Sequence, residues 1–255
     1  MSLSNEGQAI YVMWIRQLKH FGRARARIAA SIVQPLFFLF ILGSGFNQAM
    51  FPGLSGNYLI YLAPGIIGMA ILFSSMFTGI SVLWDKQFGF LQEVLVAPIK
   101  RLSIIIGFIL GGATQALIQG SFILVLSFFL GVRVPSIGHF ALTIVLMITI
   151  AFTAVGFGLI LASKLNDFQA FPLIMNLIIL PLFFLSSAFF PVENLPAPAG
   201  SLVLANPLFY MVDGLRGSLT GMNFRFHPLI DLGVVLLVCI IMLTIGTYLF
   251  NKSEV

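Results

Sequence analysis

Charge is what this sequence has least of: 8% of its 255 residues are Asp, Glu, Lys or Arg, against about 25% in a water-soluble domain. Apolar residues make up 59%, with 27 Phe among them, and the mean hydropathy is +1.07. No water-soluble core could hide that much apolar surface, so lipid is the main solvent. A single cysteine, Cys239, excludes an intrachain disulfide. The three histidines, His20, His139 and His227, stand alone, and no HExxH helix, cysteine pair or His–carboxylate cluster offers metal ligands. Neither a metal site nor catalytic residues are therefore expected. No Gly-Lys pair occurs, which excludes a GxxxxGK[ST] phosphate loop and with it ATP binding by that route. An apolar leader is missing too, because the first 27 residues are polar and basic; the first span is expected to act as an uncleaved anchor. Strands of alternating polarity, the mark of a membrane barrel, are not found.

What is present is a set of long charge-free runs. A span needs about 20 apolar residues, and 57 residues separate Arg27 from Asp85. These are enough for two spans joined by a turn at Asn47 to Asn57, where Pro52, Gly53 and Gly56 lie. The remaining charge-free runs predict helices that complete a set of six: Ile28–Phe46, Tyr58–Leu83, Leu102–Leu130, His139–Ala162, Ala170–Phe190 and Leu229–Phe250. The fold class expected is all-α, a single transmembrane domain over 1–255, with an interfacial helix in 1–27, an inner loop in 84–103 and an outer re-entrant segment in 191–228.

Orientation follows from the short-loop cations. With the N-terminus inside, ten of the 13 basic residues fall on the inner side and only Arg133, Arg216 and Arg225 on the outer, which predicts cytoplasmic termini. The net charge of +5 thus needs no nucleic-acid partner. Before the first span, Ile10, Met13, Trp14, Gln17, Leu18 and Phe21 share one helical side, while Arg16, Lys19, His20 and Arg23 occupy another. A helix of this kind is expected along the inner membrane surface, its rings in the acyl boundary and its cations near anionic headgroups.

Within the spans polarity is sparse. Gln34, Gln115, Gln119 and Asn176 are expected to make interhelical hydrogen bonds. Asp231 suits the positive end of the last helix. Gly107 and Gly111, then Gly112, Ala116 and Gly120, predict close helix packing. The phenylalanines at 37, 38, 40, 183, 184, 189 and 190 are expected to face lipid or core. In the inner loop, Leu91, Val94, Leu95 and Pro98 fall on one side and Gln92 and Glu93 on the other, which predicts a short helix under the membrane. The outer segment is too apolar to be solvated at Leu202 to Leu204 and Leu208 to Tyr210, and too proline-rich to span, so short helices dipping into the outer leaflet are expected.

These two loops carry a family resemblance. Glu93-Val-Leu-Val-Ala-Pro98-Ile-Lys-Arg101 followed by Gly107 resembles the cytoplasmic loop of ABC type-2 export permeases. Phe190-Pro191-Val-Glu193-Asn-Leu-Pro196 and Asn206-Pro207-Leu-Phe-Tyr210-Met-Val-Asp213-Gly-Leu-Arg216 resemble that family's outer signature. The resemblance implies a cell-membrane exporter of drugs, lipids or glycans, built from two permeases, expected to be identical, and two cytoplasmic ATPase subunits that bind ATP and Mg. It implies Asp85, Glu93, Pro98, Lys100 and Arg101 as ATPase-coupling residues and Asn206, Pro207, Tyr210, Asp213 and Arg216 as an outer gate. It further suggests Phe73, Phe77, Asn176 and Phe183 along the substrate path. Two other classes remain open: a self-contained channel or ion-driven carrier, which an intramembrane carboxylate would favour, and a lipid enzyme built on Glu193, Asp213, Arg216 and His227.

Overall fold

The computed structural model describes residues 3–46, 57–96, 98–191 and 197–252. Among the described residues the regular structure is all helical: α1 (Leu3–Arg23), α2 (Arg25–Gly45), α3 (Tyr58–Gln87), α4 (Phe90–Val96), α5 (Arg101–Phe129), α6 (Ile137–Lys164), α7 (Ala170–Phe184), α8 (Ala197–Ala205), α9 (Pro207–Thr220) and α10 (Pro228–Lys252). Four of them, α3, α5, α6 and α10, are long and apolar enough to cross a membrane, the shortest having 25 residues. At about 1.5 Å per residue that exceeds a hydrocarbon core of about 30 Å. The apolar part of α2, Ser31–Gly45, and all of α7 are shorter. The turn expected around Pro52, Gly53 and Gly56 lies outside the described residues, as do Glu193 and Pro196. Asn57 does cap α3, accepting from the Leu59 N–H at 2.9 Å.

α3 is the central element, with every residue from Tyr61 to Leu72 buried and α2, α5, α6 and α9 packed around it. Glycines set two close crossings. A Cβ on Gly79 of α3 would collide with the Gly158 carbonyl of α6, and one on Gly246 of α10 would lie 2.9 Å from the Gly156 carbonyl. Such contact suits helices that associate in lipid, where packing rather than water exclusion holds them together. α10 buries a single stripe, including Asp231, Val235, Cys239, Gly246 and Phe250, and leaves Leu236, Leu237, Ile240 and Ile241 exposed. The small residues of α5 serve two neighbours: Gly107 and Gly111 receive Met13 and Gln17 of α1, while Gly112 and Gly120 receive Thr78 and Ile71 of α3.

Two expectations change. The apolar side of α1 packs on α5 instead of facing an acyl boundary: Met13, Gln17 and Phe21 are buried and the Trp14 indole N–H donates to Thr114 Oγ1 at 3.1 Å. α7 ends at Phe184, not at Phe190. The link that follows holds Ser187 at φ +58°, a left-handed conformation uncommon outside glycine. Tertiary hydrogen bonds compensate: the Ser187 carbonyl accepts the Tyr61 hydroxyl at 2.7 Å and Arg216 Nη2 at 2.8 Å, and the Phe189 carbonyl accepts the Tyr58 hydroxyl at 2.8 Å.

Candidate functional site

At the end where α1, α4 and the C-terminus of α10 meet, one guanidinium joins three elements. Arg16 of α1 donates Nη1 to Asp85 Oδ2 at 2.7 Å and Nη2 to Oδ1 at 2.6 Å, a fork that lysine could not reproduce. The same group lies 3.7 Å over the Phe90 ring that opens α4. Asp85 is therefore buried and paired within the chain. α4 forms as its pattern predicts, Leu91 buried and Val94 half-buried, Gln92 and Glu93 exposed. Pro98, expected on the inward side, is exposed, and so are Lys100 and Arg101; the side chain of Leu95 and all of Ala97 lie outside the described residues. Glu6 accepts from the Lys100 N–H at 3.2 Å and from the Ser103 hydroxyl at 2.5 Å, and the Ser103 bond holds its carboxyl below the ordinary value. Arg101 Nη1 donates to the Asn251 carbonyl at 2.9 Å. The inner-loop candidates thus share one end, with Glu93 presented outward from a helix that is tied to α1 and α3.

At the opposite end, α9 begins with Asn206 as its cap, Oδ1 accepting the Leu208 N–H at 3.0 Å while Nδ2 donates to the Leu182 carbonyl at 2.5 Å. Pro207 follows at the first helical position, where its missing N–H costs nothing. Tyr210 donates to the Leu204 carbonyl at 2.9 Å and stacks on Phe226 at 5.8 Å. The Asp213 carboxylate accepts the N–H groups of Arg225 and Phe226. Arg216, 1% exposed, donates to Ser187 Oγ at 3.0 Å, to the Ser187 carbonyl and to the Tyr61 carbonyl at 3.4 Å, with its guanidinium 3.9 Å over the Tyr61 ring. The five outer candidates thus fix α9 to several neighbours: Arg216 ties it to the 185–190 link and α3, Asp213 and Tyr210 to the turn before α10, and Asn206 to α7. They do not gather as a catalytic cluster: Asp213 and Arg216 serve different partners and His227 is exposed.

Between these ends, α2, α3, α5 and α7 line a partly open cavity of about 170 Å³. Phe73 and Phe77, one turn apart on α3, and Asn176 of α7 line it, as do Gln34 and Gln119. Phe183 is not brought to it, being buried edge-on against Phe189 at 5.6 Å. Of the polar residues expected to bond between helices, Gln115 does so, Nε2 donating to the Gln17 carbonyl at 3.0 Å. Gln119 does not: it is 3% exposed and its Oε1 has no hydrogen-bond partner among the described residues. Its place in the cavity was illegible in the sequence, because a glutamine in an apolar span looks the same whether it bonds to a helix or faces a cavity. Arg16 escaped as a positioning residue for the same kind of reason, since its partner lies 69 positions away.

An exposed short helix between two long apolar helices, a capped and buried helix at the opposite end and a cavity lined, among the described residues, by no charged side chain form one arrangement. The model of the family described as ABC-2 type transporter matches residues 8–220. The chain belongs to that family. It is similar to the transport permease ycf38 of Porphyra purpurea, 31% identical over 96% of this chain and 88% of the relative. It also resembles the inner membrane transport permease YadH of Escherichia coli K12, 28% identical over 84% of each, and nodulation protein J of Rhizobium leguminosarum bv. viciae, 24% identical over 94% of this chain and 93% of the relative. This ABC-2 permease is accordingly a multi-pass membrane protein and the transport subunit of an ABC transporter, working with an ABC ATPase and not catalytic by itself.

Proposed function

We propose that the chain is the permease of a cell-membrane exporter, two copies forming the path and two cytoplasmic ATPase subunits binding ATP with Mg and supplying the energy. In this reading α2 and α7 complete six spans, both termini are cytoplasmic, and α8 and α9 form a re-entrant outer segment. The cargo is hydrophobic or amphipathic and passes the cavity bounded by Phe73, Phe77 and Asn176. The observation that carries the reading is α4: a helix with Glu93 exposed, lying between α3 and α5 in the chain, whose Phe90 ring sits 3.7 Å under the same Arg16 guanidinium that forks to Asp85 of α3. Closure of the ATPase pair would push α4, and the fork would carry that push into α1 and α3 together. Asp213 and Arg216 would keep the outer helix seated until α3 moves.

A second reading has one observation in its favour. Asp231 in the first turn of α10 is fully buried, and neither carboxylate oxygen has a hydrogen-bond partner among the described residues, as an ion-coupled carrier would require of an intramembrane acid. One experiment separates the two. The permease is reconstituted in proteoliposomes with and without its ATPase, and movement of a fluorescent amphiphile is followed under ATP or under a proton gradient. Transport that needs both ATPase and ATP supports export; transport by the permease alone, driven by the gradient and abolished by Asp231→Asn, overturns it.

A further inference from the structure

The polar side of α1 has a groove of its own. Val12, Arg16, Lys19, His20 and Arg23 recur at helical spacing and line an open space of about 340 Å³. That is more than twice the ~150 Å³ that holds one benzene ring, so a lipid headgroup fits as well as a small ion. Arg16 is balanced by Asp85. Lys19 and Arg23 are exposed, and among the described residues neither has an acidic partner. Depth decides what these two cations meet. α1 climbs along α5: Glu6 meets Lys100 and Ser103, Met13 meets Gly107, and Gln17 meets Gly111 and Gln115. Gly111 is ten residues on from Arg101, which places Gln17 about 15 Å above the foot of α5. A helix of 29 residues overshoots a hydrocarbon core of about 30 Å by only about 7 Å at each end. The groove continues beyond Gln17 to Arg23 and has therefore risen from the aqueous layer to the lipid boundary, where Lys and Arg side chains extend to headgroup phosphates. α4 and its exposed Glu93 stay at the foot.

We infer that this groove binds the phosphate of an anionic phospholipid of the inner leaflet. Lys19 and Arg23 hold the phosphate by charge-assisted hydrogen bonds. Arg16 joins them, since Asp85 takes only two of the five N–H groups of its guanidinium, and the lipid thereby becomes a neighbour of the fork that ties α1 to α3. A zwitterionic headgroup would bring its own cation beside two that are already unbalanced, so the groove selects net negative charge. Periodicity predicted only cations near headgroups; the climb along α5, the Asp85 partner of Arg16 and the groove make them one site. The choice of leaflet rests on the export reading, which puts the N-terminus in the cytoplasm, whereas the binding does not.

The test is native mass spectrometry of the permease–ATPase complex, and of the permease alone, given phosphatidylglycerol or phosphatidylcholine with the same acyl chains. Phosphatidylglycerol is expected to be retained over phosphatidylcholine on both. Lys19→Gln and Arg23→Gln should each lower its retention about fivefold, the effect of one cation at an anionic surface, and together should remove the preference. Arg133→Gln, at the opposite end, should leave it unchanged. Lys19 and Arg23 are exposed, so the thermal midpoint of the double variant should match the wild type. Equal retention of the two lipids, or a preference that survives the double variant, would overturn the site. Displacement of phosphatidylglycerol by excess inorganic phosphate would make it a free-anion site and overturn the lipid as its ligand. Phosphatidylglycerol kept by the permease alone and lost from the complex would show that the ATPase covers the groove, and would overturn the proposal for the assembled transporter. Failure of ATP-driven transport with the lipid preference intact would count against the export reading and leave this site standing.

Discussion

A guanidinium at 1% exposure has to be satisfied by the protein, and Arg216 is: Ser187 takes two of its donors, the Tyr61 carbonyl a third, and the Tyr61 ring its face. Removing it leaves the Ser187 carbonyl with the Tyr61 hydroxyl alone and a left-handed residue without its main support. Arg216→Leu is therefore expected to lower the midpoint of thermal unfolding in detergent by roughly 2–12 °C, from about 1–3 kcal/mol for the lost polar contacts at about 2–4 °C per kcal/mol. Arg216→Lys should recover only part of it, because an ammonium cannot fork to two oxygens and stack on a ring at once. A melt unchanged by both would show that the outer assembly holds without this hub. The identity of Arg216 as an outer residue of interest was readable from its motif. Its partner was not, since Ser187 lay inside a predicted helix and nothing local marks a residue that only a distant arginine holds at positive φ.

Among the elements, α1 and α4 were the most legible because they are polar on one side and apolar on the other, so their period has contrast. Even so, the apolar side of α1 specified only that something apolar would cover it, and Gly107 and Gly111 of α5 decided that this was protein. The Arg16–Asp85 fork makes the pairing of α1 with α3 testable by a double-mutant cycle with Arg16→Lys and Asp85→Asn. A coupling free energy of about 0.5–3 kcal/mol is expected for groups in direct contact, and both single variants should hydrolyse ATP while moving less cargo per ATP. At α4, Glu93→Ala should weaken the ATPase contact slightly, as an exposed pair is worth about 0–1 kcal/mol. Glu93→Lys should weaken it more through repulsion. Combining Glu93→Lys with Pro98→Gly should leave the protein inserted in the membrane with transport per ATP clearly reduced, and wild-type coupling in that double variant would make the loop a mere connector.

For the whole molecule, the division of cations predicts which end faces the cytoplasm. In a Cys239→Ser background, single cysteines at Ser136 and Arg225, both exposed, should react with an impermeant thiol reagent added outside intact cells, and cysteines at Gln87 and Asn251 should react only after permeabilisation. The reverse pattern would invert the topology. Length and lack of charge were sufficient to locate α3, α5, α6 and α10, because a backbone in lipid must satisfy its own hydrogen bonds and an apolar run has little choice but to become a helix. The ends of most of these runs were marked by caps, prolines and cations that act within a few residues. What only the tertiary structure decided was which face of each span meets protein and which meets lipid. When nearly every side chain is apolar, periodicity has no contrast to read, and the choice falls to close contacts such as Gly79 with Gly158 and Gly156 with Gly246. The same step turned Phe183 into the core, set Phe73, Phe77 and Asn176 around one cavity and left Gln119 facing it, since each depends on how several helices pack at once and not on any one segment.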